Sequence, residues 1–329
     1  MWANRLRTDP IPALANSNYP AVRFFTHCDL LDAETNAVEE IWKIPQAQKI
    51  LQKQQSDGSW KKPGEHKYPA IKHNLIETWR NLNELVSKYS FTRSHSKIEG
   101  ACEYILSCQT GAGDIRGVLA NQYATYYTGA MLSTLIYAGY ENDPRTEQAF
   151  QWLLGMRQND SAWSIPMITH KFDRETQYRL STEFLPSVEP DRAKPFSHNC
   201  TGMVLRAFAA HPVYRTSEAA RIAAGLLKSR FFREDSYSSY HDAGYWVRFE
   251  YPFWWNNLVS AMDTITVIQP GVFDEPIQRA VQWIVDHQEA DGLWNIAYTG
   301  KQIKDNVKNN ETRYWIGLAI CRILKRINS

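Results

Sequence analysis

Nowhere in this 329-residue sequence do apolar residues run on for the roughly 18 positions that a membrane-crossing helix needs. The opening residues, MWANRLRTDPIPAL, lack the apolar core and small-residue cleavage site of a secretory leader, so the chain reads as cytoplasmic. Charge of one sign is equally scarce. The formal net charge is +2 with the signs well mixed, and no basic run offers a surface to nucleic acid or to an anionic membrane. Cysteine is sparse, five residues at irregular spacing, which excludes a disulfide framework and fits reduced thiols.

What the sequence has in excess is aromatics: 12 Trp, 17 Tyr and 13 Phe. A core of this size needs fewer, so some rings are expected to line a cavity or to pack between repeated helices. Repeats are present. Gln54-Gln55-Ser56-Asp57-Gly58-Ser59-Trp60 returns as Gln288-Glu289-Ala290-Asp291-Gly292-Leu293-Trp294, with Gln, Asp, Gly and Trp in the same register. A shortened form reads Gln158-Asn159-Asp160-Ser161-Ala162-Trp163, a degenerate one Gln109-Thr110-Gly111-Ala112-Gly113-Asp114-Ile115, and a decayed one spans residues 230–237.

Each copy follows an amphipathic stretch with apolar residues at i, i+3, i+4 and i+7, such as PIQRAVQWIVDHQ, and precedes a more apolar one, such as YATYYTGAMLSTLIYAG. The alternation predicts a half-solvated outer helix, then an Asp-Gly turn that a glycine at positive φ permits, then a buried inner helix. Inner helices are expected to begin near residues 20, 69, 120, 197, 252 and 311. Six outer and inner pairs are enough to close a ring, which hides the ends that an open stack would have to cap. The expected fold is therefore an all-α (α/α)6 toroid, a single domain over residues 1–329 with an insertion at 165–196 rich in charge and proline.

The Gln-x-x-x-Gly-x-Trp turns resemble the QW repeats of squalene-hopene and oxidosqualene cyclases and the related turns of protein prenyltransferase β-subunits. The string CQTGAGDIRG…YYTGAMLSTLIYAGYENDPR also resembles prokaryotic squalene-cyclase-like proteins. The resemblance implies a toroid with a cavity at the mouth where the turns feed the inner helices. Its catalytic motifs are missing: there is no Asp-x-Asp-Asp acid motif, no Asp-Asp-x-x-Asp diphosphate motif and no Asp-x-Cys zinc pair.

Candidate chemistry lies on the inner helices, where a polar stripe must find partners or water. His73, Glu77 and Arg80 fall at i, i+4 and i+7, and Asn256, Ser260 and Asp263 repeat that spacing. Asn199 and Arg206 stand seven apart, beside His198 and Cys200. The catalytic candidates are Asp263, Glu77 and His73. The substrate-binding candidates are Tyr123, Tyr127, His198, Cys200, Trp255, Asn256 and Tyr314, whose rings would wall a cavity or face a cation. The plain alternative is a set of inter-helix ion pairs and packed rings. His198 and Cys200, two apart on a helix, point in different directions, and nothing else has ligand-pair spacing, so neither metal nor cofactor is expected.

Three functions follow. The first is an enzyme, a cyclase or transferase acting on a small isoprenoid-like apolar substrate. The second is a carbohydrate-active toroid, with Glu77 and Asp263 opposed or Glu183 or Asp191 descending from the insertion. The third is a non-catalytic scaffold with a filled ring. The resemblance favours the first.

Overall fold

The computed structural model describes residues 2–35, 37–62, 64, 70–116, 124–237, 240–299 and 306–329, without the side chains of 70–73. Twelve helices among these residues build the ring. The outer ones are α1 (Ile11–Ala15), α3 (Pro45–Leu51), α5 (Ser96–Ser107), α7 (Pro144–Gly155), α9 (Glu218–Lys228) and α11 (Glu275–Asp286). The inner ones are α2 (Pro20–Phe25), α4 (Ala70–Tyr89), α6 (Thr125–Leu135), α8 (His198–Ala210), α10 (Leu258–Ile268) and α12 (Val307–Ile327). Successive inner helices touch, and α12 returns to α2, so the ring is closed. The chain is an (α/α)6 toroid, and no described helix is long and apolar enough to cross a membrane.

Local chemistry sets the boundaries. Ser197, Ser217, Asn257, Asp274 and Asn306 accept from backbone N–H groups in the first turns of α8, α9, α10, α11 and α12, satisfying donors that have no intrahelical partner. Outer α11 buries Ile277, Ala280, Val281 and Ile284, the i, i+3, i+4, i+7 stripe of a half-solvated helix. Inner α6 buries all eleven of its residues.

The turns share one wiring. Trp60, Trp163 and Trp294 each donate Nε1–H to the carbonyl ten residues upstream, Ile50, Leu153 and Ile284, at 2.7–2.8 Å. The Gln54 amide donates to Gly58 within its own turn (2.9 Å) and to Lys97 at the start of the next outer helix (2.7 Å). Gln109 does the same with Gly113 and Arg145. The backbone N–H of Trp60, Ile115 and Trp163 is met by a threonine of the following inner helix, Thr78, Thr128 and Thr201. Gly58, Gly113 and Gly292 hold φ of +85°, +110° and +83°, the left-handed region that glycine enters without penalty.

Two expectations need correction. The third turn is not shortened. Gln158 N–H bonds the Ala162 carbonyl as Gln55 N–H bonds that of Ser59, so Gln158 occupies the second motif position, with Arg157 at the first and Ser161 (φ +73°) at the glycine. The fifth inner helix begins at Leu258 rather than near 252, because the capping box of Asn257 and Ser260 starts it there. Asn256 therefore precedes the helix and does not share a face with Asp263.

Closure falls to Gln288. Its oxygen accepts from the N–H groups of Arg7 and Thr8 (2.9 and 3.1 Å), and its amide donates to the Thr8 carbonyl (2.8 Å). The one-turn α1 is thereby the outer helix that follows α11 around the ring. The insertion packs on the same side as the turns. The buried Arg116–Asp114 pair reaches Ser187 (3.0 Å), and the Gln158 amide holds the carbonyls of Asp191 and Lys194. Within it lies a short helix, Arg174–Thr182.

Helices α6 and α8 approach most tightly at Gly129, where an added Cβ would stand 2.6 Å from the Val204 Cα. Gly129→Ala is expected to lower stability by about 1–3 kcal/mol, the usual cost of overpacking. Gly155→Ala, where a Cβ meets nothing within 4 Å, is the control and should be near neutral. Urea unfolding midpoints of the two variants decide, and equal midpoints would remove the close-approach argument.

Candidate functional site

The interior of the ring is divided by a strap, residues 250–257, that joins the decayed turn to α10. Arg206 of α8 donates to the carbonyls of Phe253 (2.9 Å), Trp254 (3.1 Å) and Trp255 (2.8 Å). The Glu250 carboxylate accepts from the Trp255 N–H (2.8 Å). Tyr251 stacks on Trp315 of α12 with centroids 5.0 Å apart and donates its hydroxyl to the Ser87 carbonyl of α4 (3.1 Å). Trp254 stacks on Trp79 of α4 at 4.3 Å, and the Asn256 N–H bonds Asn199 of α8. These contacts place the strap among three inner helices before it runs into a fourth.

Burial pushes the Arg206 guanidinium down to about 10, partly offset by Glu250 and Asp263, so it still carries its charge at neutral pH. Burial likewise raises the pKa of Glu250, with the Trp255 N–H and Arg206 acting the other way. A buried cation that holds three carbonyls costs much to remove, because the freed carbonyls would have no donors.

On one side of the strap the described residues enclose a cavity of about 770 Å³, within the usual range for small-molecule sites. Its walls come from the C-terminal halves of the inner helices, including Trp79, Ser133, Thr134, Ala209 and Thr264, and its floor from Tyr251 and Phe253 of the strap. The cavity lies at the ends of the inner helices away from the turns, whereas the family resemblance implied the turn side. Residues 65–69, 117–123 and 300–305, which precede three inner helices in the chain, lie outside the described residues.

Charge gathers at this mouth. Arg322, Lys325 and Arg326, at i, i+3 and i+4 on α12, pair with Asp29, Asp32 and Asp263 respectively. Arg326 also donates to Thr266 (3.0 Å). Each carboxylate of the lining is thus engaged by a cation from the last turn and a half of α12.

The nominated residues are scattered across this plan. Asp263 lines the cavity. Glu77 is not in the lining and pairs with Arg80 at 2.5 Å, whose guanidinium lies over Trp254. The side chain of His73 and the whole of Tyr123 lie outside the described residues. Tyr127 and Trp255 sit on the far side of the strap, with Tyr126, in a cluster of rings 4.3–6.3 Å apart, and burial pushes the Tyr127 hydroxyl up to about 12. Cys200 is buried and its thiol pKa raised by burial. Asn256 is buried against α8, with its Oδ1 packed so close to Gly202 that a Cβ there would collide with it. Tyr314 rests against Tyr19 at 5.3 Å, away from the cavity lining. Glu183 pairs with Arg179 on the surface, and neither it nor Asp191 belongs to the lining.

Sequence reasoning missed Trp79, Tyr251, Phe253 and the α12 cations. The cations carried a usable signal: three basic residues at i, i+3 and i+4 within an inner helix form the same kind of stripe as His73-Glu77-Arg80. Among the described residues no group of three or more His, Cys, Asp and Glu side chains is arranged to hold a metal ion.

His198 lies beyond the strap, its ring 4.6 Å from that of Trp246 and its Nδ1 3.6 Å from the fully buried Asp235. Asp235 is already held by Ser197 and the Asn199 N–H, each at 2.8 Å. Burial lowers the His198 pKa, Asp235 opposes the shift, and Arg230 adds to it. Protons therefore favour the unfolded chain. This residue contributes stability above its unfolded value of about 6.5, and that contribution is lost as pH falls toward the folded value. Between about pH 7.5 and pH 5 the urea midpoint of His198→Asn is expected to fall less steeply than that of the wild type. Parallel slopes would show that His198 takes up its proton equally in both states.

No curated protein matches this sequence. Solved structures of similar outline include a protein from Actinoplanes at 12% identity and TM-score 0.33, covering 89% of this chain and 100% of that one. The type II terpene cyclase MstE from Scytonema stands at 12% identity and TM-score 0.32, covering 89% and 99%. A polysaccharide lyase stands at 11% and 0.40, covering 88% and 87%. Scores this low speak to neither substrate nor mechanism. The model of the squalene-hopene cyclase C-terminal domain matches residues 144–313, just over half of the chain, from the fourth outer helix into the last inner one. The protein belongs to the squalene-hopene cyclase C-terminal domain family.

Proposed function

We propose that the protein binds and transforms an isoprenoid-like apolar substrate in the cavity between the strap and the C-terminal ends of the inner helices, with the whole chain acting as one domain. The observation that supports this reading best is the chemistry of the wall. Trp79, Phe25, Tyr251, Phe253, Val86 and Val267 present rings and branched carbons. Several hydroxyls among them are turned back to their own helices: Thr134 to the Ala130 carbonyl, Thr264 to that of Ser260, and Ser87 to Asn83. A threonine bonded in this way offers its methyl group to a ligand, so the wall is more apolar than its composition suggests.

Asp263 is the catalytic candidate that lies on this wall. Its carboxylate accepts from Arg326, so to act as an acid it needs a ligand that parts the pair and a proton taken up from water. That is a condition on the reaction, and it separates binding from turnover. The same pairing weighs against a glycosidase, which needs one carboxyl as acid and another as base or nucleophile. Asp29, Asp32 and Asp263 are each occupied by a cation of α12.

The test is a panel of linear prenols, their epoxides and their diphosphates, followed by Trp79-sensitive fluorescence and by product analysis. At least one class should bind saturably. Asp263→Asn should retain that binding while turnover falls by about a hundredfold, the scale of a lost general acid. An absence of both binding and turnover across the panel would end the isoprenoid reading.

A further inference from the structure

We infer that the strap fixes how far a ligand reaches into the ring, and that Phe253 is the residue that determines its length. The inference rests on the reading of the cavity as an apolar-ligand site, though not on the ligand being an isoprenoid.

Three observations carry it. First, the strap supplies two residues to the cavity lining, Tyr251 and Phe253, while Trp254 and Trp255 do not belong to it. Past Phe253 the path is filled by rings: Trp254 against Trp79 at 4.3 Å, and Trp255 against Tyr126 and Tyr240 at 5.9 and 4.3 Å. Second, the strap backbone is held where it is. Arg206 grips three consecutive carbonyls, and Glu250 takes the N–H of the third residue. A ligand cannot push this backbone aside without leaving buried carbonyls unpaired, which is costly. Third, the Phe253 side chain takes no part in that anchoring. It is half-buried, with Tyr251 edge-on at 5.2 Å and the Arg206 guanidinium 5.8 Å from its ring centre. The floor is thus a rigid main chain that carries one ring free to be changed.

Tyr251 is the less adjustable of the two lining residues, since its ring is stacked on Trp315 and its hydroxyl bonds the Ser87 carbonyl. Changing Phe253 leaves every main-chain anchor of the strap in place. Its replacement by alanine deepens the cavity, and its replacement by tryptophan makes it shallower. Arg206, itself part of the cavity wall, holds the strap in place through its three carbonyls.

The experiment is a calorimetric titration of the full chain with n-alkanols from hexanol to hexadecanol, for the wild type, Phe253→Ala and Phe253→Trp. In the wild type, affinity should rise about fourfold for each methylene buried, up to a chain length beyond which it stops rising. That cut-off should move out by about two methylenes in Phe253→Ala, which leaves unfilled space, and inward in Phe253→Trp. A cut-off at the same length in all three proteins, or a wild type that shows none or binds no alkanol, would overturn the inference. Should the alanine variant fail to fold, the tryptophan variant alone decides by the direction of its shift. Binding of alkanols with the expected cut-offs, but of no prenol, would remove the isoprenoid substrate and leave the floor standing.

Discussion

The ring depends on one interaction repeated around it: a glutamine amide at the end of an outer helix, shared between its own turn and the start of the next outer helix. A helix end leaves carbonyls and N–H groups without partners, and in a toroid those ends lie close to the neighbouring unit. Gln54, Gln109 and Gln288 each bond a carbonyl inside the turn and one beyond it. The indoles of Trp60, Trp163 and Trp294 tie each turn back to its outer helix, and the backbone N–H groups of Trp60, Ile115 and Trp163 fix the inner helix that follows. Where the first glutamine is replaced by Arg157, the second position takes over, and Gln158 reaches forward to Asp191 and Lys194 in the insertion. The insertion is therefore wired into the ring at the place where the next outer unit would otherwise be grasped.

With its perimeter fixed in this way, the ring has an interior that helices alone do not fill. The strap occupies the middle, and Arg206 makes an irregular backbone tolerable there by donating to three of its carbonyls. Buried non-helical chain normally leaves polar groups unpaired, and here a single guanidinium removes most of that cost. The result, among the described residues, is a ring with a chamber on the side away from the turns and a charged collar on α12 at its mouth.

The fold was legible because its signals are local and repeated. The turn motif, the 3.6-residue apolar period and the alternation of half-solvated with buried stretches all lie within short windows, and they located three of the six inner helices to within one residue; the third and fifth begin five and six residues later than expected and the sixth four earlier. The misplaced fifth has a local cause. Tyr251 to Trp255 is as apolar as an inner helix, and an apolar run this short looks the same as strap or as helix. Asn257 with Ser260 was the readable sign of the true start. The site was legible only in part. That Asp263 faces a cavity followed from its place on an inner helix. Its engagement by Arg326, 63 positions away, and the mouth at which the cavity lies depend on how the helices close on one another, which no window of sequence carries.

The six inner helices all run in one direction, and the cavity is walled by their C-terminal halves. Each helix carries a partial negative charge of up to about half an elementary charge at that end, from carbonyls without intrahelical donors. Six such ends converge on one chamber. Arg322, Lys325 and Arg326 stand where they discharge that field at the rim, but deeper in, against Trp79 and Phe253, the nearby charge is that of the helix ends and of Arg206 in the wall. The chamber is thus electrically graded along its depth. Its orientation of backbone dipoles favours positive charge, and its one deep cation is tied to carbonyls that face away from solvent, so the polarity a ligand meets is set by which way twelve helices were wound into the ring.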